Sequence, residues 1–183
     1  MSRFVGLFQL FGLFWLFIVL HELAHLGVAW LVGVPVHKFR LTPLGATAYL
    51  TGFDQLGLLK QTAVLLAGPV LSLLLALYTT ATLREINGVI FVFNLLPIRP
   101  LDGGQLFFVW LSRFKGMARA NKCLRQTEQI GVVVLFLIGL VQLYLHPFNP
   151  SLVLLSLYLH KRSRERYHHC LLQIFLQYSK IRA

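Results

Sequence analysis

The chain has 183 residues, of which 57% are hydrophobic and 13% charged, and its formal net charge at pH 7 is +11. A soluble domain usually carries about twice this charged fraction and is nearer half apolar, so the composition argues against a soluble globular protein. The excess of Lys and Arg could indicate nucleic acid, but anionic lipid explains it in a membrane chain, and we expect no nucleic-acid partner.

The first apolar run extends from Phe4 to Val34 with almost no charge. It is far longer than the apolar region of a signal peptide, and no small-residue cleavage site follows it. We therefore expect a retained transmembrane helix, since about 20 apolar residues are enough to cross a bilayer.

This run contains the sequence HELAH, from His21 to His25. On a helix, residues four apart share a face, so His21 and His25 can present imidazole nitrogens to one point. The pattern is the zinc arrangement of metalloproteases, with the intervening Glu22 as general base. Each ionisable group at membrane depth costs a few kcal/mol of free energy unless it is paired or solvated, and a bound metal would satisfy these groups. A structural His–Glu network is the alternative to a metal site.

After the first run, the chain from Val36 to Leu50 alternates apolar with polar residues around Pro43-Leu44-Gly45. A period of two around a Pro/Gly turn predicts a short β-hairpin, with an irregular loop as the alternative.

Further apolar runs follow, at Thr62 to Leu83, Val89 to Leu96, Leu106 to Leu111 and Ile130 to Leu159. We expect one crossing from the first of these and one Pro-broken crossing from the next two. The last run should cross twice. The predicted fold class is an all-α polytopic membrane protein with about five transmembrane helices, a short β-hairpin between the first two, and a Pro-broken span.

Basic residues form two clusters, one at residues 113–125 and one at residues 161–166. Short loops rich in Lys and Arg stay in the cytoplasm, so both clusters should lie on that side. We therefore divide the chain into a membrane-embedded domain, residues 1–160, and a basic amphipathic cytoplasmic tail, residues 161–183. Apolar residues at helical spacing in the tail are typical of a helix lying on an anionic membrane surface.

A catalytic zinc site needs a third protein ligand. Glu85 and Glu128 lie near expected helix ends, where a solvated role is the simpler interpretation, and Asp54 lies in a loop. Asp102 differs, because it lies between two apolar half-segments.

Pro97 and Pro100 precede Asp102 and each stops a helix, while Gly103 and Gly104 allow the backbone to bend. Broken backbone survives at membrane depth only where it is buried in protein or lines a wet cavity. We therefore expect a kink that directs the Asp102 carboxylate inward, with a plain loop aspartate as the alternative.

These residues carry a family resemblance. The chain resembles the site-2 protease family of intramembrane zinc metalloproteases at HELAH (His21 to His25), AGP (Ala67 to Pro69) and NLLPIRPLDGG (Asn94 to Gly104). The segment PLGATAYL before the middle span, together with the basic tail, is most similar to the stage IV sporulation protein FB branch. Members of that branch commonly have six spans and many have a regulatory soluble domain after the last, whereas here we expect no such domain.

The resemblance implies a role for individual residues. His21, His25 and Asp102 would bind one Zn²⁺ per chain, and Glu22 would be the catalytic acid/base. The residues implied to shape the loops near the metal and the substrate cleft are Asn94, Pro97, Pro100 and Gly45.

The implied activity is that of an intramembrane zinc metalloendopeptidase. Its substrate would be a membrane-anchored or membrane-associated regulator, such as a sporulation transcription-factor precursor, and membrane inhibitor or regulator proteins are further expected partners. The protein would be a multi-pass protein of the bacterial cytoplasmic membrane. The alternatives are a metal-ion transporter, which should have more polar residues along its spans, and an inactive relative that binds clients or metal.

Overall fold

The computed structural model describes residues 2–34, 36–42, 45–50, 52–99, 101–147 and 149–165, with backbone alone for 2–8, 36–42 and 45–50. The chain divides into two compact units, Met1–Asn94 and Leu95–Ala183. The helices and strands of the first unit are α1 (Ser2–Leu31), β1 (Val36–Thr42), β2 (Gly45–Leu50), α2 (Leu58–Tyr78) and α3 (Ala81–Asn94). Those of the second unit are α4 (Asp102–Lys115), α5 (Met117–Leu145) and α6, which is helical over the described residues 151–165.

Helix α1 ends in a Schellman motif. Gly33 adopts a positive φ of 82°, a conformation that costs glycine little because it has no Cβ. The amide of Val34 donates to the Ala29 carbonyl at 3.0 Å, and the Gly33 amide donates to the Trp30 carbonyl at 3.0 Å. These two bonds satisfy carbonyls that the end of the helix would otherwise leave open. Val34 and Ala29 then pack with Val64 of α2 in a buried apolar cluster.

Strands β1 and β2 lie between α1 and α2 in the chain and pair antiparallel. Val36 is paired with Leu50 at one end of the ladder and Thr42 with Gly45 at the other. The register has an irregularity between Val36 and Lys38. Residues 43 and 44 of the expected turn lie outside the described residues.

Helix α2 packs against both α1 and α3 within the first unit. A short 3₁₀ turn, Phe53–Gln55, precedes it, and the Gln61 side chain donates to the Phe53 carbonyl at 2.8 Å. Pro69 lies inside α2, where it removes one intrahelical donor. Helix α2 is thus the central helix of this unit, and its buried face includes Gly68 and Ser72.

In the second unit, α4 packs against α5. Gly139 of α5 lies close to Val153 of α6, because a Cβ added at Gly139 would be 2.9 Å from the Val153 backbone nitrogen. The residues between α3 and α4, 95–99 and 101, are not helical.

The predicted number of about five transmembrane helices is wrong, although the helical class fits. Among the described residues, three helices are long and apolar enough to cross a membrane, at Gln9–Leu31, Leu58–Tyr78 and Met117–Leu145. The expected Pro-broken span is instead two separate helices, α3 and α4, of 14 residues each. At about 1.5 Å per residue each is about 21 Å long, which is shorter than the roughly 30 Å hydrocarbon core. The described part of α6 is similarly short.

Two other predictions fall partly outside the described residues. The amphipathic tail was expected over residues 161–183, of which residues 161–165 are described and belong to α6. Pro100, one of the two expected helix-stopping prolines, is also outside the described part of the chain.

Candidate metal centre

Helix α1 presents His21 and His25 on one face, because the two residues are four apart. His21 is 3% exposed, and His25 and the intervening Glu22 are half-buried. Phe17, one turn before His21, is also buried. His21 and His25 therefore continue the face of α1 on which Phe17 is packed against protein.

Each imidazole is held through its Nδ1 nitrogen by helix α2. The Nδ1 of His25 lies 2.7 Å from the carbonyl oxygen of Val64, and the Nδ1 of His21 lies 2.8 Å from the hydroxyl oxygen of Ser72. A carbonyl can only accept, so His25 Nδ1 carries the proton and donates it. The neutral His25 ring then has its lone pair on Nε2. Such an Nδ1 contact fixes the tautomer and the orientation of a metal-binding histidine.

The Nε2 nitrogens of His21 and His25 face one another at 3.3 Å. Two ligand nitrogens bound tetrahedrally to zinc, each at about 2.0–2.1 Å, are separated by about 3.3–3.4 Å. The distance equally suits a hydrogen bond between the rings when one Nε2 is protonated. The two imidazoles therefore fit a zinc ion, and proton and metal would compete for the same pair of nitrogens.

Gly68 of α2 lies directly against this pair. A Cβ added at Gly68 would overlap the Nε2 atoms of both His21 and His25. The absence of a side chain lets the α2 backbone approach the two Nε2 atoms closely. Gly68 is the centre of the AGP stretch that carried part of the family resemblance, and its contact gives that stretch a physical role.

Asp102 is the first residue of α4 and is half-buried. The two glycines that follow it are buried beneath the preceding loop. A Cβ at Gly103 would overlap the Leu95 carbonyl, and one at Gly104 would overlap the Ile98 carbonyl. Asp102 belongs to the second unit, and its role as the third metal ligand beside His21 and His25 of the first unit stays a prediction.

The residues expected to shape the loops near the metal lie in three different kinds of backbone: a helix end, a non-helical stretch and a strand. Asn94 ends α3 and donates through Nδ2 to the Ile90 carbonyl at 3.0 Å, within its own helix. Pro97 is half-buried in the non-helical stretch, and Gly45 begins β2.

Two contacts were not predicted from the sequence. Ser72 is a polar residue in an otherwise apolar stretch, on the same face as Gly68 four residues earlier, and this spacing was the available signal. Glu128 is 1% exposed and forms an ion pair with Arg99 at 3.2 Å, so the solvated role expected for Glu128 is wrong. A cation 29 residues away gives no local signal of that pairing.

The sequence matches a known family. Residues 9–88 and 79–138, together more than half of the chain, match peptidase family M50. The three apolar helices and this family identify an integral membrane protein. The chain belongs to peptidase family M50, the family of site-2 proteases that the sequence motifs indicated.

Individual relatives agree with this assignment. The chain is similar to a zinc metalloprotease of Methanocaldococcus jannaschii, at 28% identity over 82% of this chain and 47% of the relative. It is also similar to stage IV sporulation protein FB of Bacillus subtilis, at 30% identity over 68% of this chain and 50% of the relative. The chain thus spans about half the length of the curated relatives it matches.

A solved structure is similar as well. The site-2 protease from Methanocaldococcus jannaschii aligns with a TM-score of 0.62 and 27% sequence identity, covering 85% of this chain and 76% of that one. The similarity of sequence and of fold therefore extends over most of the chain.

Proposed function

We propose that the protein is an intramembrane zinc metalloendopeptidase, which hydrolyses a peptide bond in or near the membrane segment of a membrane-associated regulatory protein. The observation that carries the proposal is the pairing of the His21 and His25 Nε2 atoms at 3.3 Å, with each Nδ1 held by α2. Membership of peptidase family M50 and similarity to proteins named as a zinc metalloprotease and a site-2 protease support it.

In this proposal His21, His25 and Asp102 bind one Zn²⁺ per chain. Two imidazoles and one carboxylate are a ligand set that zinc enzymes use, and three protein ligands leave a fourth position open. A bound zinc ion supplies polarisation of the scissile carbonyl and acidification of water.

Glu22 is proposed as the acid/base. It follows His21 directly on α1 and is half-buried, so its position is tied to that of the metal-binding histidines. Its carboxylate would accept a proton from the attacking water and deliver that proton to the leaving amine.

The substrate must present an extended backbone to the site. A membrane helix satisfies its own amides, so it has to unwind locally before its carbonyl can be attacked. We propose that the unwound segment adds along the β1–β2 sheet, where main-chain hydrogen bonds would hold it. Gly45, at the start of β2, would border this cleft, and Asn94, Pro97 and Pro100 would shape the loop beside it.

The cellular setting is also a proposal. The basic clusters favour a protein of the bacterial cytoplasmic membrane with a cytoplasmic tail. Similarity to stage IV sporulation protein FB favours a sporulation transcription-factor precursor as substrate, and membrane inhibitor or regulator proteins as partners.

The function can be tested with purified protein in lipid vesicles and a reporter peptide tethered by an apolar segment. Cleavage should occur, stop when a chelator removes the metal, and return when Zn²⁺ is added. Cleavage that persists in metal-free protein would contradict the proposal. Zn²⁺ uptake into the vesicles without any cleavage would instead favour a transporter.

A further inference from the structure

A buried ion pair lies close in sequence to Asp102. Arg99 is 6% exposed and Glu128 of α5 is 1% exposed. The Oε1 atom of Glu128 accepts two hydrogen bonds from Arg99, one from the side-chain Nε at 3.2 Å and one from the backbone amide at 2.7 Å. The carboxylate therefore holds both the side chain and the main chain of Arg99.

Two further side chains complete this arrangement, which we call the Arg99 cluster (Arg99, Asn121, Glu128 and Ser163). The Nη2 of Arg99 donates to the Oδ1 of Asn121 at 2.6 Å, and the hydroxyl of Ser163 donates to the Oε2 of Glu128 at 2.6 Å. Both carboxylate oxygens of Glu128 are thus hydrogen-bonded. The guanidinium carbon also lies 5.8 Å from the ring centre of Phe108 in α4, a cation–π distance.

Packing restrains the same loop on either side of Arg99. Ile98 is fully buried, and its side chain lies over Gly131 of α5, where an added Cβ would be 3.4 Å away. The Ile98 carbonyl lies against Gly104 of α4 and accepts the Leu101 amide at 2.8 Å. Ile98 and Leu101, described residues on either side of Arg99, are therefore held in place by these contacts.

We propose that the Arg99 cluster is a positioning device that fixes the backbone leading into Asp102 and so sets the place of that carboxylate. This inference rests on the proposed role of Asp102 as a zinc ligand. Within it, Arg99 and Glu128 are positioning residues that act through Asp102 and do not touch the metal or the substrate.

Stability alone does not account for the cluster. Removing two charges from water is costly, and replacement of a buried ion pair by apolar residues is often neutral or stabilising. What apolar residues cannot supply is an acceptor for the Arg99 amide. The hydrogen bond at 2.7 Å ties the position of the loop backbone to α5, and it needs an oxygen at residue 128.

Two double variants separate the positioning role from a structural one. Arg99→Met with Glu128→Gln removes both charges but retains an oxygen at residue 128, whereas Arg99→Met with Glu128→Leu removes the oxygen too. Zn²⁺ affinity is measured for each purified protein in detergent by competition with a chromophoric chelator, with thermal unfolding of the metal-free protein alongside. We expect the Gln variant to bind close to wild-type affinity and the Leu variant to bind about tenfold more weakly, the lower end of the effect of an outer-shell partner. Equal affinities of the two folded variants would overturn the proposal.

Two single variants, each of which removes one hydroxyl, test the same role if a double variant does not fold. Ser163→Ala removes the donor to Glu128 Oε2, and Ser156→Ala is its matched control. Ser156 is fully buried in the same helix, but its hydroxyl donates to the Val153 carbonyl. Ser163→Ala should bind Zn²⁺ more weakly than Ser156→Ala, and equal affinities would contradict the positioning role.

Failure of the proposed function gives a different result. If wild-type protein binds Zn²⁺ and the variants show this order of affinity, the positioning role is supported even when no membrane-tethered peptide is cleaved. That combination would contradict the peptidase function alone.

Discussion

The Nδ1 nitrogen of His21 lies 2.8 Å from the hydroxyl oxygen of Ser72, so a serine of α2 fixes the orientation of a histidine of α1. Both residues are almost fully buried, at 3% and 1% exposure. With the Nδ1 of His25 held by the Val64 carbonyl at 2.7 Å, both imidazole rings of α1 are oriented by α2. The arrangement of the two imidazoles therefore depends on the packing of these two helices as much as on the HELAH sequence.

Replacing Ser72 with Ala should weaken zinc binding without unfolding the protein. The change removes one hydroxyl and with it the contact that orients the His21 ring through Nδ1. We expect Zn²⁺ affinity, measured by chelator competition, to fall by about 10–100-fold, the range for outer-shell partners of metal-binding histidines. Ser156→Ala removes an equally buried hydroxyl of α6 and should leave the affinity unchanged. Equal affinities of the two variants would show that Ser72 does not orient His21.

Replacing Gly68 with Ala should displace the histidine pair. The added methyl would overlap both Nε2 atoms, so His21 and His25 must move apart or rotate. Alanine favours a helix over glycine by about 1 kcal/mol, so α2 itself should not be weakened. We expect at least about a tenfold loss of Zn²⁺ affinity, as for other changes that misplace ligands.

The control for this change is Gly88→Ala in α3, where an added Cβ meets nothing within 4 Å. It should bind Zn²⁺ as the wild-type protein does. Normal zinc binding by Gly68→Ala would mean that α2 does not lie close to the metal-binding nitrogens.

Asp102→Asn should reduce zinc binding strongly, because a neutral amide oxygen replaces a charged ligand oxygen. We expect a larger loss than the about 10–100-fold effect of an outer-shell change. Metal content of the purified protein is the measurement, and Asp54→Asn, at an exposed residue of the 3₁₀ turn, is the control. Unchanged zinc content in Asp102→Asn would place the third ligand elsewhere.

Local patterns in the sequence were sufficient to predict part of the fold. The apolar run around HELAH predicted a long helix, and α1 covers all of it up to Leu31. The same run also indicated the shared face of His21 and His25, because the spacing of four residues is fixed by helix geometry. The prolines around Arg99 likewise predicted a break, and the structure has non-helical backbone there.

Features that depend on distant partners were not predicted. The number of membrane-spanning helices was overestimated because apolar runs do not show how long each helix is: α3 and α4 have only 14 residues each, too few to cross a bilayer. The roles of Ser72 and Glu128 depend on contacts across 51 and 29 residues. The spacing of Gly68 and Ser72 marks a shared face of α2, but no local pattern identifies the partner of Ser72 or of Glu128, since tertiary packing brings the partners together.

The central claim is that Glu22 acts as acid/base beside a zinc ion held by its neighbouring histidines. Glu22→Gln tests it most directly, because the change removes the proton-accepting group and leaves His21 and His25 in place. Zinc content and cleavage of the membrane-tethered reporter should be measured on the same preparation. We expect wild-type zinc content with cleavage lost. Cleavage at the wild-type rate by the zinc-loaded variant would contradict it.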